Sequence, residues 1–429
     1  MRKSVLSTLL VLSLLLINGI LFVSNIDALP SFARKYQTSC STCHYAYPKL
    51  NAFGKAFRNN GFRYPGDDPS MVKEEPVSLG SESYKKVWPD AIWPADIAGT
   101  SPVSAHAVGR IHYGGSWDDP ATAEVETGKA LYFEIPHELE ILLGGTIGEK
   151  ISYFGEVELE HASELAYEFA LQYDFTPAFH LKGGSVGLNA SPESYVLTRE
   201  HYAVEELRNQ SGTWRLRDGA GGGLELWGAG NGPQGRGGYT YAVGLGNGQH
   251  DADNFDVNTG KDFYARATYK HGGLGEIGGT EGQSSATSAF YEDNSVRVGG
   301  FVYSGKALEG TDTDKFSVFG GDVDFWYDRF NVVGLVMQMK SDFDDNERTS
   351  LAYFGELNYV IYPWLIGHSR YEYVDKDTDT DTSDPQTNLV PAVIAMIRAN
   401  VKASVEYLKP LDKAREKEDR LTLQFEFAI

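Results

Sequence analysis

Apolar and polar residues alternate along most of the chain after about residue 105. The stretch 165–174 places its leucines and aromatic residues on one face and Glu168, Gln172 and Asp174 on the other. The same alternation recurs in 151–161 and in 421–429. An apolar residue at every second position predicts a strand with one buried or lipid-facing side. About 15 to 17 such segments occur, which predicts a mainly β, antiparallel architecture.

The connections between these segments fall into two sets. Short turns are predicted at 362–364 and 399–400. Long polar loops are predicted at 246–261, 304–315, 341–348 and 375–387. Short turns at one end and long loops at the other are typical of an outer-membrane β-barrel, whose aromatic girdles also account for an aromatic content of 13%. We predict a closed transmembrane barrel over 105–429 with about 16 strands, because lipid cannot satisfy an open sheet edge. The alternative is a soluble β-sandwich or solenoid.

The polar faces of three consecutive predicted strands are rich in acidic residues. In a barrel these faces line the lumen, where they form what we call the acidic wall. The wall comprises Glu134, Glu138, Glu140, Glu156, Glu158, Glu160, Glu168 and Asp174. For any single residue a hydrated pore lining is the ordinary interpretation, whereas the set as a whole is suited to hold a cationic partner.

The amino terminus has the features of an export signal. Arg2 and Lys3 precede an apolar run over about 5–23, and Ala28 is a suitable cleavage edge, so 1–28 is predicted to be a signal peptide. The run is long for a signal, and an uncleaved inner-membrane anchor stays open as the alternative. Export agrees with the destination that a barrel implies, the bacterial outer membrane.

Residues 40–44 read Cys40-Ser41-Thr42-Cys43-His44, the attachment signature of a c-type haem. Two thiols at this spacing can add to the two vinyl groups of one porphyrin, and the adjacent histidine then lies under the iron. We therefore expect Cys40 and Cys43 to bind one covalent haem c and His44 to be the proximal iron ligand. The alternative is a redox Cys-x-x-Cys, but that motif normally belongs to a thioredoxin-like βαβ unit, and none follows here.

Residues 29–66 form the predicted monohaem segment. Tyr47, Leu50, Phe53 and Phe57 recur after the motif at helical spacing, and 59–61 is a suitable helix stop. We expect this aromatic face to pack on the porphyrin, although an ordinary amphipathic helix would show the same spacing. A segment of about 35 residues cannot bury a haem alone, so the rest of the protein must supply a wall. The following stretch, 67–104, is predicted to be a proline-rich linker.

The haem segment is cationic, whereas the chain as a whole is anionic. Residues 29–66 contain six basic residues and no acidic one, yet the net charge of the chain is −21. The basic residues are Arg34, Lys35, Lys49, Lys55, Arg58 and Arg63. We therefore expect the segment to lie inside the barrel and to dock against the acidic wall.

The second axial ligand of the iron is left open by the sequence. The candidates are Met71, His106 and His112. A methionine would raise the redox potential relative to a second histidine. Three further methionines are set aside, since Met337 and Met339 alternate onto the predicted lipid face and Met396 lies within a predicted strand.

One glycine motif is also set aside. Gly273, Gly275 and Gly278 spell G-x-G-x-x-G, but no helix follows them, so the sequence does not predict a dinucleotide site.

The acidic run over 375–384 lacks the glycine and the closing glutamate of a calcium-binding EF-hand loop. It is expected to be a solvated loop.

At this point the chain resembles the fused cytochrome–porins, which join a monohaem c-type segment to an outer-membrane barrel of about 16 strands. The resemblance is carried by Ala33, by 40–44, by the run 48–54 and by 60–62. It covers the haem segment specifically and the barrel only by architecture. The best-known members are iron oxidases that pass electrons from extracellular Fe(II) to periplasmic cytochromes. The resemblance implies that Cys40, Cys43 and His44 bind the haem, but it does not carry over the substrate.

The leading hypothesis is a c-type cytochrome–porin that carries electrons across the outer membrane between an extracellular donor or acceptor and periplasmic carriers. If the protein is an enzyme, the expected activity is that of an Fe(II):cytochrome c oxidoreductase. The expected partners are outer-membrane lipid, periplasmic cytochromes, and an extracellular metal ion or other redox partner. No nucleic-acid partner is expected. The alternatives are a porin whose haem-bearing plug gates or senses, and a soluble periplasmic monohaem carrier.

Overall fold

The computed structural model describes residues 31–80, 82–90, 97–99, 101–118, 125–127, 131–160, 164–188, 221–247, 260–279, 289–309, 312–343, 346–380, 385–415 and 418–429. The predicted signal peptide, 1–28, lies outside the described residues. No described helix combines the length and the apolar character needed to cross a membrane.

Sixteen strands form one closed antiparallel barrel, as predicted. The last strand closes the ladder against the first, with Phe427 opposite Ala107 and Leu423 opposite Ile111. The barrel strands are β3 (Val103–Gly114), β6 (Leu131–Ile147), β7 (Ile151–Glu160), β8 (Glu164–Thr176), β9 (Phe179–Val186), β10 (Gly221–Asn231), β11 (Arg236–Gly246), β12 (Asp262–Leu274), β13 (Ser295–Glu309), β14 (Asp312–Tyr327), β15 (Phe330–Phe343), β16 (Asn346–Tyr362), β17 (Leu365–Asp375), β18 (Gln386–Arg398), β19 (Val401–Pro410) and β20 (Arg420–Ala428). A separate two-stranded hairpin pairs β4 (Ser116–Asp118) with β5 (Val125–Thr127).

The alternation of apolar and polar residues determines which side chains face the lipid and which face the lumen of the barrel. In β20, Thr422, Gln424 and Glu426 are buried on the lumen side, whereas Phe427 points outward and is 48% exposed. Tyrosine and tryptophan lie on the exterior near the short-turn end, where the rings of Tyr362 and Trp364 stack at 5.7 Å. An apolar exterior flanked by aromatic residues faces lipid, which excludes the soluble sandwich and solenoid.

The two ends of the barrel differ, as the sequence predicts, but two of the predicted loops are wrong. Turns close the ends of β16 and β18 at 363–364 and 399–400. In contrast, β13 pairs with β14 out to Glu309 and Asp312, and β15 pairs with β16 out to Phe343 and Asn346. These strands continue past the apolar band with polar residues on both faces, so the sequence in 304–315 and 341–348 has the composition of a loop. The predicted loops at 246–261 and 375–387 do lie between strands, partly outside the described residues.

The lumen is not polar throughout. Buried apolar residues face inward on strands β12 to β17, among them Leu335, Met337 and Met339. Placing these two methionines on the lipid face is therefore wrong. The reason is that β15 is apolar on both faces between Val332 and Met337, so alternation alone cannot assign the side. Asn331, which points inward, fixes the register.

The amino-terminal segment 31–66, called the plug below, lies in the short-turn mouth of the barrel. It comprises α1 (Ser31–Tyr36), a 3₁₀ turn (Cys40–Thr42), a hairpin of β1 (His44–Ala46) with β2 (Lys49–Leu50), and α2 (Ala52–Asn59). Two short helices, α3 (Asp68–Met71) and α4 (Glu82–Val87), follow in the predicted linker.

The predicted helix after His44 is shorter than the spacing of aromatic residues indicates. Tyr47 and Leu50 belong to the hairpin, because its strands pair with each other and Asn51 then caps the helix. The predicted stop is confirmed, since α2 ends at Asn59 and Gly61 adopts a positive φ of 68°.

A charge on the outer face should destabilise the barrel according to its depth in the membrane. Leu357 lies in the apolar exterior of β16 and is 48% exposed. We expect Leu357→Arg to cost about 2–4 kcal/mol of folding free energy, because arginine is least tolerated near the bilayer midplane. Denaturant titration of barrels refolded into lipid vesicles measures this. Glu347→Arg, at an exposed position beyond the band on the same strand, should cost about 0–1 kcal/mol. Equal costs at the two positions would contradict the assignment.

Candidate functional site

The Cys-x-x-Cys-His motif is fixed to α2 by the residue that caps the helix. The side-chain oxygen of Asn51 accepts from the backbone N–H of Gly54 at 2.9 Å, and its amide nitrogen donates to the carbonyls of Ser41 and Thr42. The backbone N–H of Asn51 donates to the carbonyl of Cys43 at 2.9 Å. A Cβ at Gly54 would lie 2.1 Å from that same carbonyl oxygen, so only glycine allows this approach. These contacts explain why asparagine and glycine occupy positions 51 and 54 in the run after the motif.

His44 is held in one orientation and one tautomer. Its Nδ1 donates to the carbonyl oxygen of Pro48 at 3.1 Å, which leaves the lone pair of Nε2 available for a metal. Burial lowers the pKa of His44 to about 4, against a weaker raising effect of the hydrogen bond to Pro48. The imidazole is therefore neutral at pH 7, which is the form that ligates iron.

The two cysteines do not have the properties of a redox pair. No disulfide joins them in the structure. Burial raises the pKa of Cys40, and it raises the pKa of Cys43 to about 12. Reactive Cys-x-x-Cys motifs need a lowered thiol pKa, because the thiolate is the nucleophile. The surroundings of Cys40 and Cys43 therefore argue against disulfide exchange.

A cavity of about 720 Å³ begins at the motif and continues into the barrel lumen. This volume falls in the range of about 300–1,000 Å³ that is typical of cofactor sites. Cys40, Cys43 and His44 border it together. The plug adds an apolar and aromatic lining of Phe32, Tyr47, Leu50, Phe53, Phe57 and Phe62. Two thiols, a neutral imidazole and an aromatic wall on one cavity fit a covalently attached porphyrin.

The structure separates the three candidates for the second axial ligand. His106 borders the same cavity, but Met71 and His112 are not among its lining residues. The Tyr47 ring lies between the two histidines, 5.3 Å from His44 and 4.8 Å from His106 between ring centroids. Met396, set aside in the sequence analysis, also borders the cavity. Its position within a strand hides its inward direction from sequence reasoning, because the residues around it are apolar on both faces.

Two ion pairs, one buried and one partly buried, join the plug to different sides of the barrel. Lys55 Nζ lies 3.0 Å from Asp324 Oδ2 on β14, and Arg63 Nη1 lies 2.7 Å from Asp174 Oδ2 on β8. Burial lowers the pKa of Lys55 to about 8, although the charge of Asp324 opposes this shift. The predicted location of the segment inside the barrel is confirmed. Of the acidic wall, Asp174 holds the plug, whereas Asp324 lies outside the wall that the sequence indicated.

Apolar and cation–π contacts also hold the plug. Tyr45 meets Trp326 edge to face at 5.0 Å between ring centroids, and both belong to a buried cluster with residues of β16 to β18. Lys49 Nζ lies 5.4 Å from the centre of the Trp326 ring and donates to Asn331 at 2.6 Å. Lys402 donates to the carbonyl oxygen of Tyr47 at 2.6 Å. Charge patterning alone predicts none of the apolar contacts.

The connection after β12 packs against the plug, which sequence reasoning missed. Asn59 donates to the carbonyl of Glu276 at 2.7 Å, and Asn60 donates to that of Ile277 at 3.0 Å. Arg297 in turn holds the Glu276 carboxylate at 2.7 Å. The glycines of this connection, set aside as a weak nucleotide motif, form a turn whose Gly278 has a positive φ of 92°. The one hint in the sequence was that no helix is predicted after these glycines, which indicates a turn and not a nucleotide site.

Most of the acidic wall faces the lumen, as predicted. Glu138, Glu140 and Asp174 are buried on the inner surface, and Glu156, Glu158 and Glu168 are partly buried there. Glu134 is engaged by His112 and His137, each at 3.1 Å. The side chain of Glu160 lies outside the described residues.

The fold and the exterior define a class: the protein is an outer-membrane β-barrel of 16 strands, with an amino-terminal plug in its short-turn mouth. Its apolar exterior meets membrane lipid, which excludes a soluble periplasmic carrier. No protein-family model and no curated protein sequence matches the chain.

Solved structures of outer-membrane proteins are similar to this chain at low sequence identity. The anion-selective porin of Comamonas acidovorans is 12% identical and has a TM-score of 0.49, with 77% of this chain and 100% of that chain covered. The outer membrane channel DcaP of Acinetobacter baumannii is 13% identical with a TM-score of 0.47, covering 82% and 100%. A loop-deletion mutant of OmpT from Vibrio cholerae is 12% identical with a TM-score of 0.48, covering 76% and 99%.

The buried pair of Lys55 and Asp324 should show strong coupling in a double-mutant cycle. We expect Lys55→Met and Asp324→Asn each to weaken plug docking by about 3–5 kcal/mol, because each leaves a buried group without its partner. The double variant should lose less than the sum of the two. Hydrogen exchange of the backbone amides in α2 measures plug opening. Additive losses would show that the pair contributes no interaction energy.

Proposed function

We propose that this protein is a c-type cytochrome–porin that carries electrons across the outer membrane. The observation that carries the proposal is the location of the Cys-x-x-Cys-His motif, which borders a cavity inside the mouth of a closed barrel. An apolar bilayer separates electron donors on one side from acceptors on the other. A polar bore with a redox centre at one mouth shortens that separation.

In this proposal Cys40, Cys43 and His44 hold one haem c, which would supply a one-electron couple. Asn51 keeps the motif on α2, and the Pro48 carbonyl orients His44. The aromatic lining of the plug excludes water from one side of the cavity. Burial and hydrogen bonding around the iron ligand are the means by which the chain would set the redox potential.

The position of the plug supports the proposed partners. Both chain termini of the barrel, and hence the plug, lie at the short-turn end, which faces the periplasm in outer-membrane barrels. Periplasmic cytochromes are therefore the partners on this side. On the other side the donor or acceptor is an extracellular metal ion or another redox partner, and Fe(II):cytochrome c oxidoreductase activity is the form that the family resemblance implies. The acidic lumen would attract cations towards the plug.

A second candidate function is favoured by the fit of the plug. Its contacts with β14, β15 and the connection after β12 hold it within the mouth. A porin with a haem-bearing plug that gates or senses would have the same arrangement. The two functions differ in what crosses the membrane, electrons in one case and solutes in the other.

Haem attachment should depend on the two cysteines and not on the barrel. We expect wild-type protein made with a c-type maturation system to retain haem after denaturation, with the mass of one covalent group. Cys40→Ala/Cys43→Ala should lose this haem and still show the heat-modifiable gel migration of a folded barrel, because neither cysteine lies on a barrel strand. Denaturing gels with haem staining and intact-protein mass spectrometry measure this. Haem retained by the double variant would contradict the assignment.

Electron transfer should be measurable in vesicles that enclose an acceptor. Wild-type protein in liposomes containing oxidised cytochrome c should allow external Fe(II) to reduce it, and the Cys40→Ala/Cys43→Ala variant should fall to the protein-free background. Vesicles whose dye leakage matches between the two samples control for simple permeation. Solute uptake without reduction of the enclosed acceptor would reject the conduit and favour the porin with a gating plug.

A further inference from the structure

A cluster of nitrogen and oxygen donors lies on the lumen wall beside the plug. His106 on β3 is opposite Glu140 on β6, and Glu138 is one inward position further along the same strand. One donor atom from each of the three lies within 4.8 Å of the other two. His106 Nδ1 is 2.6 Å from Glu140 Oε2 and 3.8 Å from Glu138 Oε1. Both glutamates thus approach the same nitrogen.

Further carboxyl groups lie close to this cluster. Glu158 on β7 is opposite Glu140, and Glu140, Glu156 and Glu158 also bring donor oxygens within 4.8 Å of one another. Like charges directly opposite on neighbouring strands destabilise a sheet. Glu140 is only 1% exposed, and His106 is its close cationic partner; a metal ion between the two would stabilise a buried carboxylate in the same way.

A fourth carboxylate prepares the far side of the imidazole. Glu426 on β20 is buried, and its Oε1 accepts from Lys402 at 2.8 Å. Its Oε2 makes no hydrogen bond within the described residues and points at His106 Nε2 from 3.6 Å. An imidazole that ligates a metal through Nδ1 carries its proton on Nε2, and that proton is donated to a carboxylate, a backbone carbonyl or water. Glu426 Oε2 is in position to accept it.

We propose that His106, Glu138 and Glu140 bind one divalent transition-metal ion inside the barrel, with Glu426 orienting His106. Zinc-like ions bind nitrogen and carboxylate oxygen at about 2.0–2.2 Å, which places two donors of one ion about 3.0–3.5 Å apart. His106 Nδ1 and Glu140 Oε2 would therefore separate from 2.6 Å, and Glu138 Oε1 would approach Nδ1 from 3.8 Å, each by less than about 1 Å. One imidazole with carboxylates favours Mn(II), Fe(II), Co(II) or Zn(II) over Mg(II) and Ca(II), which prefer oxygen alone.

The proposed metal site lies next to the plug, on the other side of Tyr47 from His44. The Tyr47 ring contacts the His106 ring at 4.8 Å and the His44 ring at 5.3 Å between centroids. A metal ion on His106 would therefore be separated from His44 by a single aromatic residue. Binding of the ion requires neither haem nor electron transfer, so this inference does not depend on the proposed function. With Nδ1 on the ion and the Nε2 proton on Glu426, His106 has no lone pair left for a haem iron, so the site assigns His106 to the ion and not to the second axial position.

Mn(II) is a suitable probe, because its aqueous EPR signal is lost on binding. Tag-free full-length protein in detergent should bind one Mn(II) per chain at this site. Glu140→Gln and Glu426→Gln should each weaken binding by about 10–100-fold, the range found when ligand shells are altered. Glu356→Gln, an equally buried inward glutamate on β16, should leave the affinity unchanged. Equal affinities in all four proteins, or equal loss in the control, would overturn the proposal.

A second measurement needs no variant to fold. Pulsed EPR of Mn(II) bound to the wild type should show the ¹⁴N modulation of a directly bound imidazole, and excess Mg(II) should fail to displace the ion. Heat-modifiable migration confirms that the barrel is intact. Bound Mn(II) without nitrogen coupling, or displacement by equimolar Mg(II), would show diffuse attraction by the acidic wall instead and would overturn the site.

Discussion

Backbone hydrogen bonding in lipid is the constraint on which the rest of this structure depends. Hydrocarbon offers no partner for an N–H or a C=O, so the sheet must close, and β20 meets β3 for this reason. Closure divides every strand into an outer and an inner series of side chains. The outer series meets lipid and must be apolar, whereas the inner series is enclosed. Enclosure allows glutamate, histidine and arginine to face one another across the bore, where the dielectric constant is lower than in water.

Enclosed charges need partners, and the plug supplies several of them. Lys55 reaches Asp324 on one side of the mouth, and Arg63 reaches Asp174 on another. A buried pair gives little net stability over an apolar contact, but removal of one partner is costly. The pairs therefore specify where the plug sits more than they stabilise it. Tyr45 against Trp326 supplies apolar contact that does not depend on charge.

The sequence was sufficient for the barrel because period-two alternation is a direct consequence of one lipid face. It located the plug in the lumen through charge asymmetry, and it found the motif through residue identity. It failed where both faces of a strand are apolar, as around Met337, and where polar strands extend beyond the membrane, as at 304–315. It also could not show that Glu276 and Ile277 hold the plug, because those contacts join residues more than two hundred positions apart. Such long-range contacts leave no local pattern.

The position of the motif relative to the acidic wall has an electrostatic consequence for any redox centre in the cavity. Glu140, Glu156 and Glu426 border the same cavity as His44. The negative charge of Glu426, which Lys402 stabilises, favours the more positively charged oxidation state, whereas the aromatic lining and burial favour the less charged one. Lys402 sits between the two regions, bound to Glu426 and to the Tyr47 carbonyl. Lys402 partly neutralises Glu426, and its own positive charge also lowers the pKa of His44. The effect of burial on His44 therefore meets less opposition than the number of nearby glutamates alone would imply.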